Sequence, residues 1–307
     1  MESPRIEDRV WRELPGAARR ALETGLSPTE LQSLLLSVTR TRAREVNASR
    51  LVQRWGSDRF VRPAPTDPRR LARVEARLWE LLPEVYAGVE LAPVVPLGTC
   101  SALGPVDQHR IVSTVRGTEV LSDPTNALAV EAAVRRGAGA AGQIDLAASH
   151  RVLRAQTFGP GASQHFRLFA LVSTARDTGS GRTESRLLVE HIGFWQRVLA
   201  DLLPGHPSRI TVTAFSPLLT ERVHDTVLPA VADGPVPVVP DQDRTQGAGY
   251  YAGAAIGLRA EHDGRTVDLG DGGLTTWTAQ LLADAKERCL ISCISTERLT
   301  ALTTPST

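Results

Sequence analysis

The sequence predicts a mixed α+β domain built on a largely antiparallel sheet, preceded by a helical extension. Strand-like runs recur from the middle of the chain onward, as in RLFALVSTA, RITVTAF and CLISCIS. Helical patterns at residues 126–136, 182–203 and 275–288 lie between these runs. Long helices between strands, several of which are short or alternate polar with apolar residues, favour an antiparallel sheet flanked by helices.

The first 66 residues have the spacing of helices. Ser27, Pro28 and Glu30 occupy the cap, the first helical position and the third, a combination that predicts a capping box. Apolar residues then return on one face at Leu31, Leu34, Leu35 and Val38. The three prolines of RPAPTDP at residues 62–68 end any helix. We therefore predict a helical extension over residues 1–66 and a core domain over residues 67–307.

The composition excludes several classes of protein. The chain has 307 residues, 42% of them hydrophobic and 22% charged, which is typical of a globular protein and not of a disordered one. No apolar run approaches the roughly 20 residues that span a bilayer, and the charged N-terminus has no apolar signal segment. Three separated cysteines predict neither a disulfide framework nor a zinc site. We expect a cytoplasmic protein with no membrane partner.

Charge is balanced overall but uneven along the chain. The net charge is +1, and 34 of the 35 basic residues are arginines, Lys286 being the exception. Residues 39–73 hold ten arginines and three acids, a local charge of +7. Such a segment binds RNA or an acidic carrier protein in some proteins and is a solvated helix face in others. We favour the solvated face, because no RNA-binding motif accompanies the arginines.

Common catalytic motifs are absent from the sequence. It has no Walker A loop, no H-E-x-x-H, no G-x-S-x-G and no G-x-G-x-x-G after a strand, and its seven histidines are scattered singly. No metal site is expected. The remaining indications of function are two glycine-containing segments near the C-terminus and a set of arginines on candidate strands.

Those two segments resemble the catalytic core of histidyl-tRNA synthetase, a class II synthetase. The family's Gly-x-x-Tyr-Tyr block is matched at residues 247–251 and its Gly-Gly turn at Gly272 and Gly273. A Gln-Leu helix is matched at residues 280–281, and a strand ending in Glu-Arg-Leu at residues 297–299. The four pieces occur in the family's order.

The resemblance extends upstream and covers about residues 68–302. Residues 150–173 resemble motif 2, two antiparallel strands joined by a loop, with Arg154 and Gln156 on the first strand and Arg167 and Phe169 on the second. Residues 119–137 resemble the strand-to-helix block that precedes motif 2. Motif 1, a helix and strand at the family's dimer interface, corresponds to residues 71–96. The resemblance implies a class II synthetase-like core and a homodimer.

The resemblance also implies roles for individual residues. Arg154 would contact the α-phosphate of ATP, Arg298 the far end of the bent nucleotide, and Phe169 the adenine. Both arginines are candidate catalytic residues, because a planar guanidinium grips phosphate in two places and stays charged. The implied cofactor is ATP, with or without Mg²⁺, and its candidate binding residues are Arg154, Gln156, Arg167, Phe169, Glu297 and Arg298. The candidate substrate-binding residues are Asp123, Thr125, Gln246, Tyr250, Tyr251, Asp271, Gly272 and Gly273.

Departures from the family pattern bear on the substrate. Gln156 stands where motif 2 has glutamate, and Gln246 stands where the family has an arginine used in histidine activation. Ser295 and Thr296 replace Gly-Leu before Glu-Arg, and residues 274–276 replace an Arg-Tyr-Asp of the histidine pocket. No anticodon-binding domain follows the core in this sequence. We therefore expect neither histidine as substrate nor tRNA as acceptor.

The leading hypothesis is a free-standing synthetase-like ligase. It would adenylate an amino acid or a similar carboxylic acid with ATP and pass the acyl group to a small molecule or a carrier protein. The alternative is a non-catalytic regulator, similar to the regulatory subunit of ATP phosphoribosyltransferase, that binds a partner enzyme. A third hypothesis is an RNA-binding module built on the arginine-rich extension.

Overall fold

A computed structural model describes residues 6–159, 163–244, 247 and 249–303. The helices, in chain order, are α1 (Ile6–Glu13), α2 (Gly16–Arg20), α3 (Pro28–Arg44), α4 (Ala48–Ser57), α5 (Pro68–Leu81), α6 (Thr99–Leu103), α7 (Pro124–Gly137), α8 (Arg182–Leu202), α9 (Pro217–Arg222), α10 (Leu228–Val231), α11 (Trp277–Leu282) and α12 (Thr296–Leu302). Short π-helical turns at Ala21–Gly25 and Val223–Val227 and a 3₁₀ turn at Gln108–Arg110 complete the helical structure.

Eight strands form one sheet in the order β1-β4-β5-β10-β9-β8-β6-β7, and β2 and β3 form a separate ribbon. The strands are β1 (Ala87–Gly88), β2 (Val94–Pro96), β3 (Thr118–Val120), β4 (Ile144–Leu153), β5 (His165–Arg176), β6 (Ser208–Ala214), β7 (Val238–Pro240), β8 (Ala254–His262), β9 (Arg265–Thr275) and β10 (Glu287–Ser295). Every pair in the large sheet is antiparallel except the two edge pairs β1–β4 and β6–β7. The predicted α+β class with an antiparallel sheet is confirmed.

Helices cover both faces of the sheet. On one face α5, α8 and α12 bury a core that includes Leu78, Phe194 and Trp195. On the other face α7 and α11 pack Leu128 and Trp277 against β4, β5 and β10.

One predicted helix is largely wrong. Residues 275–288 have a helical pattern, but the chain there completes β9 at Thr275, makes the six-residue α11, and enters β10 at Glu287. Ala283 in the left-handed conformation (φ 49°) ends α11. The apolar residues at this spacing therefore belong to three elements. The prediction at residues 126–136 fares better, since α7 covers Pro124–Gly137.

The extension forms helices that bury nothing within the described part of the chain. Ser27 accepts a hydrogen bond from the Glu30 amide, and the Glu30 carboxylate accepts one from the Ser27 amide at 2.8 Å, so the predicted capping box is present. In α1–α4 no residue is buried. None of the described helices is long and apolar enough to cross a bilayer.

Candidate functional site

Two adjoining cavities open at the C-terminal ends of β4 and β10 and beside the middle of β9. The first, of about 360 Å³, is here the tyrosine cavity, since Tyr250 and Tyr251 form one wall, with Asp123, Asn126 and Gln156 also lining it. The second, of about 470 Å³, is the phenylalanine cavity. It is lined among others by Phe158, Phe166, Leu168, Glu297 and Arg298. Arg154 and Asp271 line both cavities and lie at the junction between them.

Arg154 is held at this junction by the end of β4. Its Nε donates to the carbonyl oxygen of Ser122 at 2.9 Å, and its guanidinium lies 3.5 Å from the carboxylate of Asp123. The same group lies 5.2 Å from the centre of the Phe166 ring, a cation–π distance. A fixed cation between two cavities suits a ligand with negative charge at its middle.

Asp123 caps α7 and accepts hydrogen bonds from Thr125, two residues further along the chain. Its Oδ1 accepts hydrogen bonds from the Thr125 amide at 3.0 Å and the Thr125 hydroxyl at 2.7 Å, which satisfies the first turn of the helix. Thr125, predicted to bind substrate, is buried and lines neither cavity. The buried Asn126 lines the tyrosine cavity in its place.

Asp271 faces the cavities from β9, with about half of its side chain (51%) reachable by solvent. Desolvation by the surrounding protein raises the pKa of this carboxyl, while Arg244 and the nearby Tyr251 act in the opposite direction. Its Oδ2 lies 3.2 Å from Arg244. A carboxylate placed here can receive a cationic group of a ligand.

Sequence reasoning missed Arg244. Its side chain is only 5% exposed, donates to the carbonyl oxygen of Ile256 at 3.0 Å, and lies 5.7 Å from the centre of the Tyr251 ring. A third recess of about 240 Å³ adjoins it. That recess is lined by Arg244, Gly257, Arg259, Asp268, Gly270, Asp271 and Arg298. The predicted Gln246 lies outside the described residues. The only indication of Arg244 in the sequence was its position two residues before Gln246.

The two tyrosines form a packed aromatic corner. The rings of Tyr250 and Tyr251 are perpendicular at 5.0 Å, and Trp277 lies 5.7 Å from Tyr250. Burial raises the pKa of both phenols, which therefore stay protonated at neutral pH. Both side chains line the tyrosine cavity, where sequence reasoning placed them.

The predicted glycine pair, Gly272 and Gly273, packs closely against neighbouring strands. A Cβ on Gly273 would lie 2.5 Å from the Tyr251 ring and 2.6 Å from the Ala254 carbonyl oxygen, and a Cβ on Gly272 would lie 2.5 Å from the Cβ of Ser292. Neither glycine lines the cavities. They let β8, β10 and Tyr251 approach β9 closely, and their predicted role in binding substrate stays a prediction.

Two cysteines also line the site. Cys100 in α6 borders the tyrosine cavity and Cys293 in β10 borders the phenylalanine cavity. Burial raises the pKa of the Cys100 thiol to about 11 and that of Cys293 well above its usual value. Both thiols are protonated at neutral pH and act as small polarisable wall residues. Among the described residues no three His, Cys, Asp or Glu side chains form a metal site.

Comparison with known proteins gives the fold but no sequence relative. No family model and no curated protein sequence matches the chain. Histidyl-tRNA synthetase of S. aureus superposes with a TM-score of 0.58 at 17% identity, over 78% of this chain and 69% of the other. A Bacillus halodurans protein described as an ATP phosphoribosyltransferase regulatory subunit/histidyl-tRNA synthetase gives 0.59 at 10% identity, over 80% and 84%. A histidine–tRNA ligase subunit of Alicyclobacillus acidocaldarius gives 0.56 at 14% identity, over 78% and 94%.

The chain has the class II synthetase fold. These likenesses span most of the chain and confirm the predicted architecture. At such identities they establish the fold alone, so the site must be judged on its own side chains.

On this class II synthetase fold the predicted adenine-stacking residue is wrong. Phe169 is fully buried on the opposite face of the sheet, 4.8 Å from Trp79 and 6.2 Å from Phe194 between ring centres. Successive residues of β5 alternate between faces, so Phe166, three positions earlier, faces the cavity instead.

Arg167 fails as a nucleotide-binding candidate for the same reason. Its guanidinium pairs with Glu75 of α5 at 3.2 Å on the face of the sheet that Phe169 occupies. The pair ties α5 to β5. Arg167 is therefore a structural residue of the fold.

The start of α12 places the last two candidates in the phenylalanine cavity. Ser295 caps the helix by accepting from the Arg298 amide at 3.3 Å. Glu297 pairs with Arg151 at 2.7 Å, and an Arg298 nitrogen donates to the Asp268 carbonyl oxygen at 2.7 Å. Both side chains line the cavity with Arg154 and Phe166.

Proposed function

We propose that the chain binds ATP in the phenylalanine cavity and an amino acid or similar carboxylic acid in the tyrosine cavity. The observation that carries this proposal is the position of Arg154, whose guanidinium lines both cavities at their junction. A ligand pair that meets there must bring negative charge to the meeting point. The carboxylate of an acid and the α-phosphate of ATP meet this requirement.

The proposed reaction is adenylate formation. The substrate carboxylate attacks the α-phosphorus, an oxygen–phosphorus bond forms, and the bond to the β-phosphate breaks to release pyrophosphate. Arg154 neutralises the charge that spreads over the α-phosphate, and Arg298 holds the triphosphate in the same cavity. An acceptor other than tRNA, either a small molecule or a carrier protein, then attacks the acyl carbon and releases AMP.

The remaining side chains fit this assignment. Phe166 offers a ring face for the base. The base would lie over this ring, where the Arg154 guanidinium now lies. Asp123 and Asp271 lie in the tyrosine cavity with Asn126, and together they can bind a substrate ammonium group. Cys100, a small and weakly polar residue, also lines this cavity.

Magnesium would arrive with the triphosphate. Mg²⁺ at phosphate sites keeps several waters and takes only one or two carboxylates from the protein. Glu297 lines the phenylalanine cavity and can supply one. When bound, the ion would neutralise the leaving pyrophosphate.

Pyrophosphate exchange tests this proposal. Purified protein with ATP, Mg²⁺, labelled pyrophosphate and each amino acid in turn should incorporate label into ATP with at least one acid. Arg154→Ala should abolish the exchange. Failure of the wild type to exchange with any acid, together with no heat on titrating ATP, would remove the ligase proposal.

A second candidate is a regulator that binds an effector without chemistry. The observation that favours it is that Arg154 already has a carbonyl and a carboxylate as partners and covers Phe166. The Bacillus halodurans neighbour is described in part as a regulatory subunit. A partner enzyme whose rate changes when the chain is added, and changes equally with Arg154→Ala, would support this candidate over the ligase.

A further inference from the structure

The end of the extension crosses the site as a strap, defined here as residues 59–66. At its start the two terminal nitrogens of Arg59 reach the segment that follows β4. One donates to the Ala155 carbonyl oxygen at 2.6 Å and the other to the Thr157 hydroxyl at 2.9 Å. These acceptors are 96 and 98 residues away in sequence. Ala155 separates Arg154 from Gln156, which both line the tyrosine cavity.

The middle of the strap is fixed by a histidine of β5. His165 Nδ1 lies 2.9 Å from an Arg151 nitrogen, which can only donate, so Nδ1 accepts. Nε2 therefore carries the proton and donates to the Arg62 carbonyl oxygen at 2.6 Å. Arg151 in turn pairs with Glu297. A continuous set of polar contacts thus links the strap to the wall of the phenylalanine cavity.

The far end of the strap is itself part of that wall. Pro65 and Thr66 line the phenylalanine cavity beside Phe158 and Phe166, whose rings meet edge to face at 6.1 Å. The strap precedes residues 68–302, the stretch whose sequence resembles the synthetase core. Part of the cavity is therefore made by residues from the extension.

We infer that the strap completes the nucleotide site and that Arg59 is its positioning residue, an inference that rests on the proposed binding of ATP. Arg59 does not reach the cavity. It holds the backbone between Arg154 and Gln156 in the conformation that places Arg154 at the junction and Gln156 in the tyrosine cavity. A planar guanidinium suits this task, because its fork binds two acceptors in fixed directions.

The experiment uses the full chain and three variants. Arg59→Met removes both hydrogen bonds, and Arg59→Lys keeps the charge and one donor group. Arg54→Met is the matched control, since it makes the same change in α4 at an exposed arginine with no side-chain hydrogen bond or ion pair among the described residues. Calorimetry measures ATP affinity, amide exchange over residues 153–159 measures the order of the segment, and the melting temperature checks the fold.

Arg59→Met should weaken ATP binding by about fivefold, as expected for two partly exposed charged hydrogen bonds. It should also speed exchange over residues 153–159, with an unchanged melting temperature. Arg59→Lys should recover part of the affinity, and Arg54→Met should match the wild type.

Equal behaviour of Arg59→Met and Arg54→Met in both measurements would overturn the inference. If the wild type binds no ATP, the proposed function fails, and exchange alone then decides whether the strap orders this segment. Faster exchange in Arg59→Met would keep its positioning role, and unchanged exchange would remove it.

Discussion

At the scale of single residues, the hydrogen bonds around the buried His191 match its neutral form. His191 is fully buried between Ser173 and Ser292, whose hydroxyl oxygens lie 2.9 Å and 2.8 Å from its ring nitrogens. Ser173 donates to Asp145, so it must accept from His191 Nε2. Trp195 donates to Ser292, which is then free to donate to Nδ1. Each partner is satisfied by the neutral ring.

This arrangement predicts a pH dependence of stability. Burial lowers the pKa of His191 to about 3, from 6.5 in the unfolded chain. Because the folded pKa is the lower one, the unfolded state binds the proton first, and stability falls as pH drops below 6.5 towards 3. The loss is at most about 1.4 kcal/mol per pH unit.

Urea unfolding from about pH 7 to about pH 4 measures the effect, since this range lies across the window in which the unfolded chain takes up the proton. His191→Gln should start less stable at neutral pH and lose less on acidification than the wild type. Asp145, whose pKa burial raises, is common to both proteins, so the difference between them isolates the histidine. Parallel pH profiles would contradict this assignment.

A second residue-scale prediction concerns Gly273. A methyl group there would meet the Tyr251 ring at 2.5 Å and a backbone oxygen at 2.6 Å. Gly273→Ala should therefore reduce the free energy of unfolding by about 1–3 kcal/mol. Gly137→Ala is the control, because a Cβ added at this last residue of α7 would have no atom within 4 Å. Equal stability of the two variants would show that β9 can move away from Tyr251.

At the scale of elements, the register of β5 decides which of its phenylalanines faces the phenylalanine cavity. The order of the elements followed from sequence patterns, and Tyr250 and Tyr251 of the Gly-x-x-Tyr-Tyr block line the tyrosine cavity. The register of β5 did not follow. A shift by an odd number of residues exchanges its faces, so Phe166 and not Phe169 lines the cavity.

Other site residues were beyond sequence reasoning for comparable reasons. Whether Thr125 or Asn126 faces the tyrosine cavity depends on how Asp123 caps α7. The inward position of Arg244 depends on contacts with Ile256 and Asp271, which are distant in sequence. Packing between residues distant in sequence decides which side chains face the cavities, and local sequence patterns contain little information about that packing.

The two phenylalanines make a matched pair for testing the strand register. Phe169→Ala should destabilise the protein by about 3–5 kcal/mol, because the ring is fully buried. Phe166→Ala should cost clearly less stability but weaken ATP binding, since base stacking on an aromatic ring is worth about 1–3 kcal/mol. Melting curves and calorimetry of both variants give the answer. The reverse pattern would contradict the assignment of faces.

At the scale of the whole molecule, charge and packing separate the extension from the core. Helices α1–α4 bury none of their described residues, whereas α5 buries Leu71, Val74 and Leu78. Three of the many arginines lie at the site: Arg154 and Arg298 line the phenylalanine cavity, and Arg59 belongs to the strap. The arginines of α3 and α4 are exposed.

The predicted homodimer belongs to this scale. Residues 71–96 form α5, β1 and β2, and within that stretch Val85 is 72% exposed and Trp79 37% exposed. We expect a dimer through this surface. Light scattering should give the mass of two chains, and Val85→Glu should shift it towards one. A wild-type mass of one chain at micromolar concentration would contradict the expectation.

The central claim is that Arg154 joins a nucleotide cavity to a substrate cavity. Titration calorimetry with ATP and Mg²⁺ tests it most directly, using the wild type, Arg154→Met and the exposed control Arg265→Met. We predict that the wild type and Arg265→Met bind ATP alike and that Arg154→Met binds at least about tenfold more weakly, as expected for the loss of a charged hydrogen bond. Equal affinity of Arg154→Met and the wild type, or no binding by either, would contradict the account.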